Sequence, residues 1–314
     1  MTHVLAVRLD NDGDVLLAGQ QLGVDELLVW RAPWIDPEPE PLVPGAIEAL
    51  AARLAALGLD AAVIFGSFHQ SPLPTALVLR MAGVPFVAAA SVDYPGALLD
   101  VRHRISDDVH EVERSLDLAA AAGFPLPAGD DGALRIRRPA RPPAPARDER
   151  AVVVHPGASV PARAWAPERN AALVQALADA GRRVLVTGGP SERTLTARVA
   201  GPARPEVVDL GGRTSLAGLA EVLAGAACVV VGNTGPAHLA AAVGTPVVSL
   251  FAPTVPPVRW RPWRVPHELL FVDVPCAGCR ARACPIEGHP CLDGVAVEEA
   301  VGAVGRLAPA GVPA

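Results

Sequence analysis

Val229-Val230-Val231-Gly232-Asn233-Thr234-Gly235-Pro236-Ala237-His238-Leu239-Ala240-Ala241-Ala242 decides the fold of this chain. Three β-branched residues read as the end of a buried strand. Small and polar residues then turn the chain. An alanine-rich helix opens with Pro236 at its expected first position, where the missing N–H is no loss and φ is already helical. The free N–H groups of that helix start, with the positive end of its dipole, form a ready anion site. Thr234 adds a hydroxyl, and His238 lies two residues beyond Pro236. A strand, a small-residue turn and a helix N-terminus together suit a diphosphate. A functional histidine there suggests a phosphorylated donor such as a nucleotide sugar.

The flanking sequence repeats the alternation. After Ala151 to His155, strands are predicted at Arg183 to Thr187, Val207 to Leu210, Cys228 to Val231 and Val247 to Phe251. Helices are predicted near 168–180, 191–200, 215–224 and 236–243. The amino-terminal half reads the same way. His3 to Leu9, Leu27 to Trp30, Ala61 to Phe65 and Val84 to Ala89 are expected strands. Helices are expected at 14–21, 45–57 (stopped by Gly58) and 73–82. Strands alternating with helices imply parallel α/β sheets. Pro139-Ala140-Arg141-Pro142-Pro143-Ala144-Pro145-Ala146-Arg147 cannot continue a helix or a central strand. The expected organisation is therefore a Rossmann-like domain over 1–138, a linker over 139–150 and a second Rossmann-like domain over 151–314. Ligands are expected in the cleft at the carboxyl ends of the strands.

At 314 residues, 51% hydrophobic and 19% charged, the chain has material for two buried cores. A net charge of −6 gives no support for nucleic acid or an anionic membrane as main partner. All 27 basic residues are arginine. The N-terminus does not read as a secretion signal, since Arg8 and Asp10 interrupt its apolar run. No apolar stretch is long enough to span a bilayer. The expectation is a cytoplasmic protein with at most peripheral contact at the inner membrane face.

Four further stretches carry candidate chemistry. Arg8-Leu9-Asp10-Asn11-Asp12-Gly13-Asp14 places Asp14 at a helix start, as an N-cap or as a base able to take a proton from an acceptor hydroxyl. Asp10-Asn11-Asp12 has the form of a metal-binding D-x-D, but its flanks read as a turn. His155-Pro156-Gly157-Ala158-Ser159 follows a strand and leads to Arg163, either a solvated cation or a planar fork beside a diphosphate. In Thr187-Gly188-Gly189-Pro190-Ser191-Glu192, Gly188 permits close backbone approach. Glu192 either favours the positive end of the helix or accepts hydrogen bonds from ribose hydroxyls.

Cys276-x2-Cys279-x4-Cys284-x6-Cys291, enclosing His289, forms a second distinct signal over 276–291. Four cysteines this close suit a tetrahedral structural zinc, with His289 able to replace one. Reduced thiols and a redox-sensitive disulfide are the alternatives. Cys228 reads as core.

Together these segments resemble glycosyltransferase family 9, the ADP-heptose:lipopolysaccharide heptosyltransferase-like proteins. The resemblance runs in order through Arg8–Leu17, Ser71–Pro85, Tyr94–His103, His110–Gly123, His155–Trp165, Gly188–Glu192, Leu210–Leu216 and Gly232–Leu250. Trp260-Arg261-Pro262 and the cysteine cluster have counterparts in many members. The resemblance implies a GT-B fold, two Rossmann-like domains whose parallel sheets face across a cleft, with acceptor on the first and donor on the second. It also implies inverting sugar transfer that needs no divalent metal. By position, Asp14 is the expected base and Arg163 lies beside the diphosphate. Glu192 meets the nucleoside, and Thr234, Gly235 and His238 meet the donor phosphates and sugar; Gly188 and Asn233 complete the expected donor-binding set. Asn233 stands where the family commonly has Asp, and Arg163 where it often has Lys.

The expected function is transfer of a sugar, heptose from ADP-heptose in the first instance, to a lipopolysaccharide-core, envelope-glycan or small-molecule hydroxyl. A GT-B-type nucleotide-sugar epimerase, or a non-catalytic nucleotide-sugar-binding relative, is the alternative. Asp14 favours the transferase, and Asn233 lends weight to the non-catalytic relative.

Overall fold

The structure is a computed structural model that describes residues 3–8, 25–36, 39–67, 70–106, 108–136 and 148–309. Asp14, the expected helix over 14–21 and the Asp10-Asn11-Asp12 turn lie outside these residues. The chain divides into two compact units, Met1–Gly132 and Ala133–Ala314.

In the first unit, β1 (Val4–Val7), β2 (Ala61–Ile64), β3 (Phe86–Ala90) and β4 (Val101–His103) form a parallel sheet in the order β1-β2-β3-β4. The helices are α1 (Ala46–Ala55), α2 (Leu73–Met81) and α3 (Glu111–Ala121). Leu50, Leu54, Ile64, Leu79 and Val87 lie in its core.

The expected strand at Leu27 to Trp30 does not form. Leu27 and Val29 are both 78% exposed, whereas Leu28 and Trp30 pack on the core. The run has strand-like alternation but no ladder partner among the described residues, and Trp30 instead packs against Trp34, the rings tilted by 49° with centroids 5.3 Å apart. Neither β4 nor α3 was foreseen as an element. Three residues are too few for a period to show. The start of α3 is set by His110, whose Nδ1 accepts from Val112 N–H while Glu113 accepts from the His110 N–H.

The second unit carries β5 (Asp148–His155), β6 (Arg183–Val186), β7 (Val207–Asp209), β8 (Ala226–Gly232), β9 (Val247–Leu250) and β10 (His267–Leu270). They are parallel in the order β10-β9-β8-β5-β6-β7. Counted from β5 this is the 3-2-1-4-5-6 order of a dinucleotide-binding sheet. Its helices are α4 (Pro167–Asp179), α5 (Arg193–Ala200), α6 (Leu216–Gly225), α7 (Gly235–Ala242), α8 (Pro257–Trp260), α9 (Pro290–Asp293) and α10 (Val297–Leu307).

All seven residues of β8 are buried, as expected of a central parallel strand covered on both faces. Cys228 is fully buried there, in a core with Val152, Val154, Leu173 and Val230. The linker expected over 139–150 is shorter at its end. Asp148 to Arg150 already belong to β5, which pairs Asp148 with Ala226, and 139–147 lie outside the described residues. Among the described residues no helix is long and apolar enough to cross a membrane.

Candidate functional site

In the second unit the strand order reverses between β5 and β8, and such a switch point leaves a crevice at the carboxyl ends of the strands. Here His155 at the end of β5 pairs with Val231, one residue before β8 ends at Gly232. The two loops that leave this point carry most of the residues singled out in the sequence.

After β8 the chain enters α7 through Gly232, Asn233 and Thr234. Thr234 is the N-cap residue, with an extended backbone and no side-chain capping bond. The helix start thus keeps its positive end for an anion. His238, in the first turn, is only 4% exposed, and its ring centroid lies 6.4 Å from that of Trp260. Asn233 is buried, and both polar atoms of its side chain meet Ala252. Its amide N–H donates to the Ala252 carbonyl and its oxygen accepts from the Ala252 N–H, each at 3.1 Å. The amide therefore ties the end of β8 to the chain leaving β9. Arg163 ends a short 3-10 turn over Pro161–Arg163. Its carbonyl oxygen lies 2.7 Å from where a Cβ on Gly232 would stand, so only glycine lets this loop close on the turn after β8.

Glu192 is the other focus. Its Oε2 accepts from Gly189 N–H at 2.6 Å, closing the turn into α5. A Cβ on Gly157 would lie 1.9 Å from Glu192 Oε1, and one on Gly188 would lie 2.7 Å from Thr196 Cγ2. Glycine backbone thus forms a cradle into which the carboxylate fits. Below it, His155 Nδ1 lies 3.0 Å from the Thr187 hydroxyl, and Nε2 lies 4.0 Å from Glu192 Oε2. Burial holds the His155 pKa below its ordinary value, and the Glu192 charge opposes this only in part. A neutral ring therefore lies between the Thr187 hydroxyl and the Glu192 carboxylate.

The sequence pointed to Glu192, Gly188, Arg163, Asn233, Thr234, Gly235 and His238. The fold gathers them on loops leaving β5, β6 and β8, which are neighbours in one sheet. The supporting roles of Gly157, Thr187 and Ala252 were missed. Gly157 and Thr187 lay within motifs that were singled out, but they had no partner until the sheet order placed β6 beside β5.

The cysteine segment folds against the same end of the unit. Cys276, Cys279, Cys284, Cys291, His289 and Thr254 line a cavity of about 40 Å³. None of these cysteines is in a disulfide. Burial, with the thiols of Cys284, Cys276 and Cys279 nearby, pushes the Cys291 thiol up. The Thr254 hydroxyl is buried without a hydrogen-bond partner among the described residues. The donor set has the chemistry for a soft cation. As placed, however, no three His, Cys, Asp or Glu side chains among the described residues converge to hold one.

A family profile described as glycosyltransferase family 9 (heptosyltransferase) matches residues 68–289. The chain belongs to glycosyltransferase family 9. Among curated members it is 37% identical over 180 residues to lipopolysaccharide heptosyltransferase 1 of Pseudomonas aeruginosa, covering 56% of this chain and 48% of that protein. Against lipopolysaccharide heptosyltransferase 1 of Escherichia coli K12 it is 36% identical over 159 residues, 49% of this chain and 48% of the other. The chain thus spans about half the length of the curated relatives it matches.

Solved structures of family 9 align over nearly the whole chain. The Veillonella parvula family 9 glycosyltransferase gives a TM-score of 0.73 at 15% identity, covering 98% of this chain and 97% of that one. The E. coli heptosyltransferase solved with ADP gives 0.65 at 22%, covering 98% and 99%. The family 9 chain therefore has the α/β architecture of the GT-B class.

Proposed function

We propose that this chain is an inverting glycosyltransferase that moves a sugar, heptose from ADP-heptose in the first instance, onto a hydroxyl of a lipopolysaccharide-core, envelope-glycan or small-molecule acceptor. The observation that carries the reading is the pairing, at one switch point, of an uncapped helix start with a glycine-cradled carboxylate. The α7 N-terminus suits the diphosphate, and the Glu192 oxygens suit the paired hydroxyls of a ribose. The positive end of α7 and the Arg163 cation would offset charge building on the departing diphosphate, the role a divalent ion otherwise fills. Inversion follows from a single displacement. A base removes the acceptor proton as the acceptor oxygen bonds to the anomeric carbon and the bond to the diphosphate breaks. By family position that base is Asp14, in the half proposed to bind acceptor.

The cysteine segment is proposed as the place of a structural zinc, on the strength of four thiols and His289 around one cavity, which would have to close together to hold it. The enzyme is proposed to work in the cytoplasm, with at most peripheral contact at the inner membrane face. It supports the reading that curated relatives are lipopolysaccharide heptosyltransferases and that one solved structure of the same fold holds ADP.

The test is calorimetric binding of ADP, GDP and UDP, followed by turnover with ADP-heptose. ADP is expected to bind in preference to the others. Asp14→Asn is expected to keep that affinity while turnover falls at least about a hundredfold, the scale of a lost general base. Preference for another nucleotide discards heptose from ADP. Unchanged turnover removes Asp14 from the mechanism.

A further inference from the structure

We propose that the cysteine-bearing segment 276–291 is a brace that positions the donor-facing turn, with His289 as its positioning residue; this rests on the donor reading above. The segment reaches the turn along two routes. In the first, Ala162 is clasped at both of its backbone groups. Its N–H donates to the Arg282 carbonyl at 3.0 Å, and its carbonyl accepts from His289 Nε2 at 3.2 Å. The next residue is Arg163, whose carbonyl closes on Gly232. In the second, Gly278 N–H donates to Pro253 at 2.7 Å and Arg280 N–H to Thr254 at 3.0 Å. These two residues directly follow Ala252, the partner of Asn233. Of the three residues that lead β8 into α7, Gly232 is thus packed by, and Asn233 bonded to, chain that the cysteine segment holds.

The segment itself has no strand, and its only helix is the short α9 that begins at Pro290. Its shape rests on its turns and on the thiols grouped around one cavity. His289 sits in the left-handed region at φ 41°, a conformation that a non-glycine residue keeps only where its surroundings hold it. Because a carbonyl only accepts, the His289 proton lies on Nε2. The imidazole thus works as a fixed donor on the Ala162 peptide.

The experiment compares His289→Ala and His289→Gln with the wild-type full chain by amide hydrogen exchange and by calorimetric titration with ADP. Loss of one such bond predicts exchange faster by about three- to tenfold in residues 162–165 and 233–237, and an ADP Kd raised by a similar factor. Glutamine, whose amide N–H can reach the same carbonyl, is expected to restore most of both. A general packing role would not give that rescue. If the alanine variant does not fold, His289→Asn, with an amide too short to reach, takes its place beside the glutamine variant. Exchange and Kd unchanged from wild type, or glutamine no better than alanine, overturns the proposal. So does faster exchange with ADP affinity intact. If the wild-type chain binds no ADP, the donor reading fails instead, and exchange at 233–237 still decides whether the brace exists.

Discussion

Replacing Gly157 with alanine tests the carboxylate cradle without touching any proposed ligand contact. Gly157 is not among the glycines with left-handed backbone, so alanine meets no φ penalty there. The new methyl would lie 1.9 Å from Glu192 Oε1 and 2.4 Å from its Cδ. Ordinary contact begins near 3.4 Å, so the carboxylate has to withdraw by about 1.5 Å, since 3.4 − 1.9 = 1.5. It would then leave the Gly189 N–H. A hydrogen bond from ligand to a charged group is worth about 1.5–3 kcal/mol, which predicts an ADP Kd about ten- to a hundredfold weaker.

Stability should hardly move. Alanine restricts the unfolded chain by about 0.4–1 kcal/mol, and the lost turn bond costs a similar amount. The assay is calorimetry on Gly157→Ala, Glu192→Ala and the double variant, with a thermal midpoint for each. In the Glu192→Ala background the three atoms nearest to the new methyl are gone, so the second substitution should add little. Equal penalties for Gly157→Ala in both backgrounds, or wild-type ADP affinity in the single variant, would refute the cradle.

Three other outcomes are expected. Asn233→Asp sets a buried carboxylate against the Ala252 carbonyl and should destabilise the fold by about 1–3 kcal/mol in urea titration at pH 7. The deficit should shrink as pH falls and the protonated acid donates again, and a pH-independent deficit would count against this geometry. His155, neutral in the fold, makes the native state bind fewer protons than the unfolded chain below the ordinary histidine value of about 6.5. Stability should therefore be full above that pH and decline below it until the lowered native pKa is passed. Urea midpoints for His155→Asn should show a shallower decline, and identical slopes would exclude this histidine as the source. Purified protein should carry about one zinc per chain by elemental analysis, lost in a Cys276→Ser/Cys279→Ser variant. Absence of metal from protein prepared with zinc present would leave the thiols simply reduced.

Long periodic elements were legible in the sequence because their signal is local. The helices at 168–180 and 215–224 were placed within a residue or two of α4 and α6, and β8 was read from three valines. Elements defined by partners were not legible. The strand-like run at Leu27 to Trp30 has no ladder neighbour among the described residues, while β10 and β4 exist because β9 and β3 offer them an edge. The site divides in the same way. Thr234, Gly235 and Glu192 were visible because turn chemistry exposes them in one dimension. Gly157 and Ala252 act on residues 35 and 19 positions away, and only sheet order shows which loops meet. The bonds that Asn233 makes to Ala252 were not legible either, because they depend on the chain leaving β9.

The Asn233 side chain acts as one extra rung beyond the last paired residues of β8 and β9, Gly232 and Leu250. A peptide surrogate at that point makes the turn rigid before any ligand arrives. The ordering entropy of this part of the site is then met during folding and does not subtract from binding. The α7 end of the proposed donor site should change little on ligand uptake, so selection there would be a matter of fit to a fixed shape.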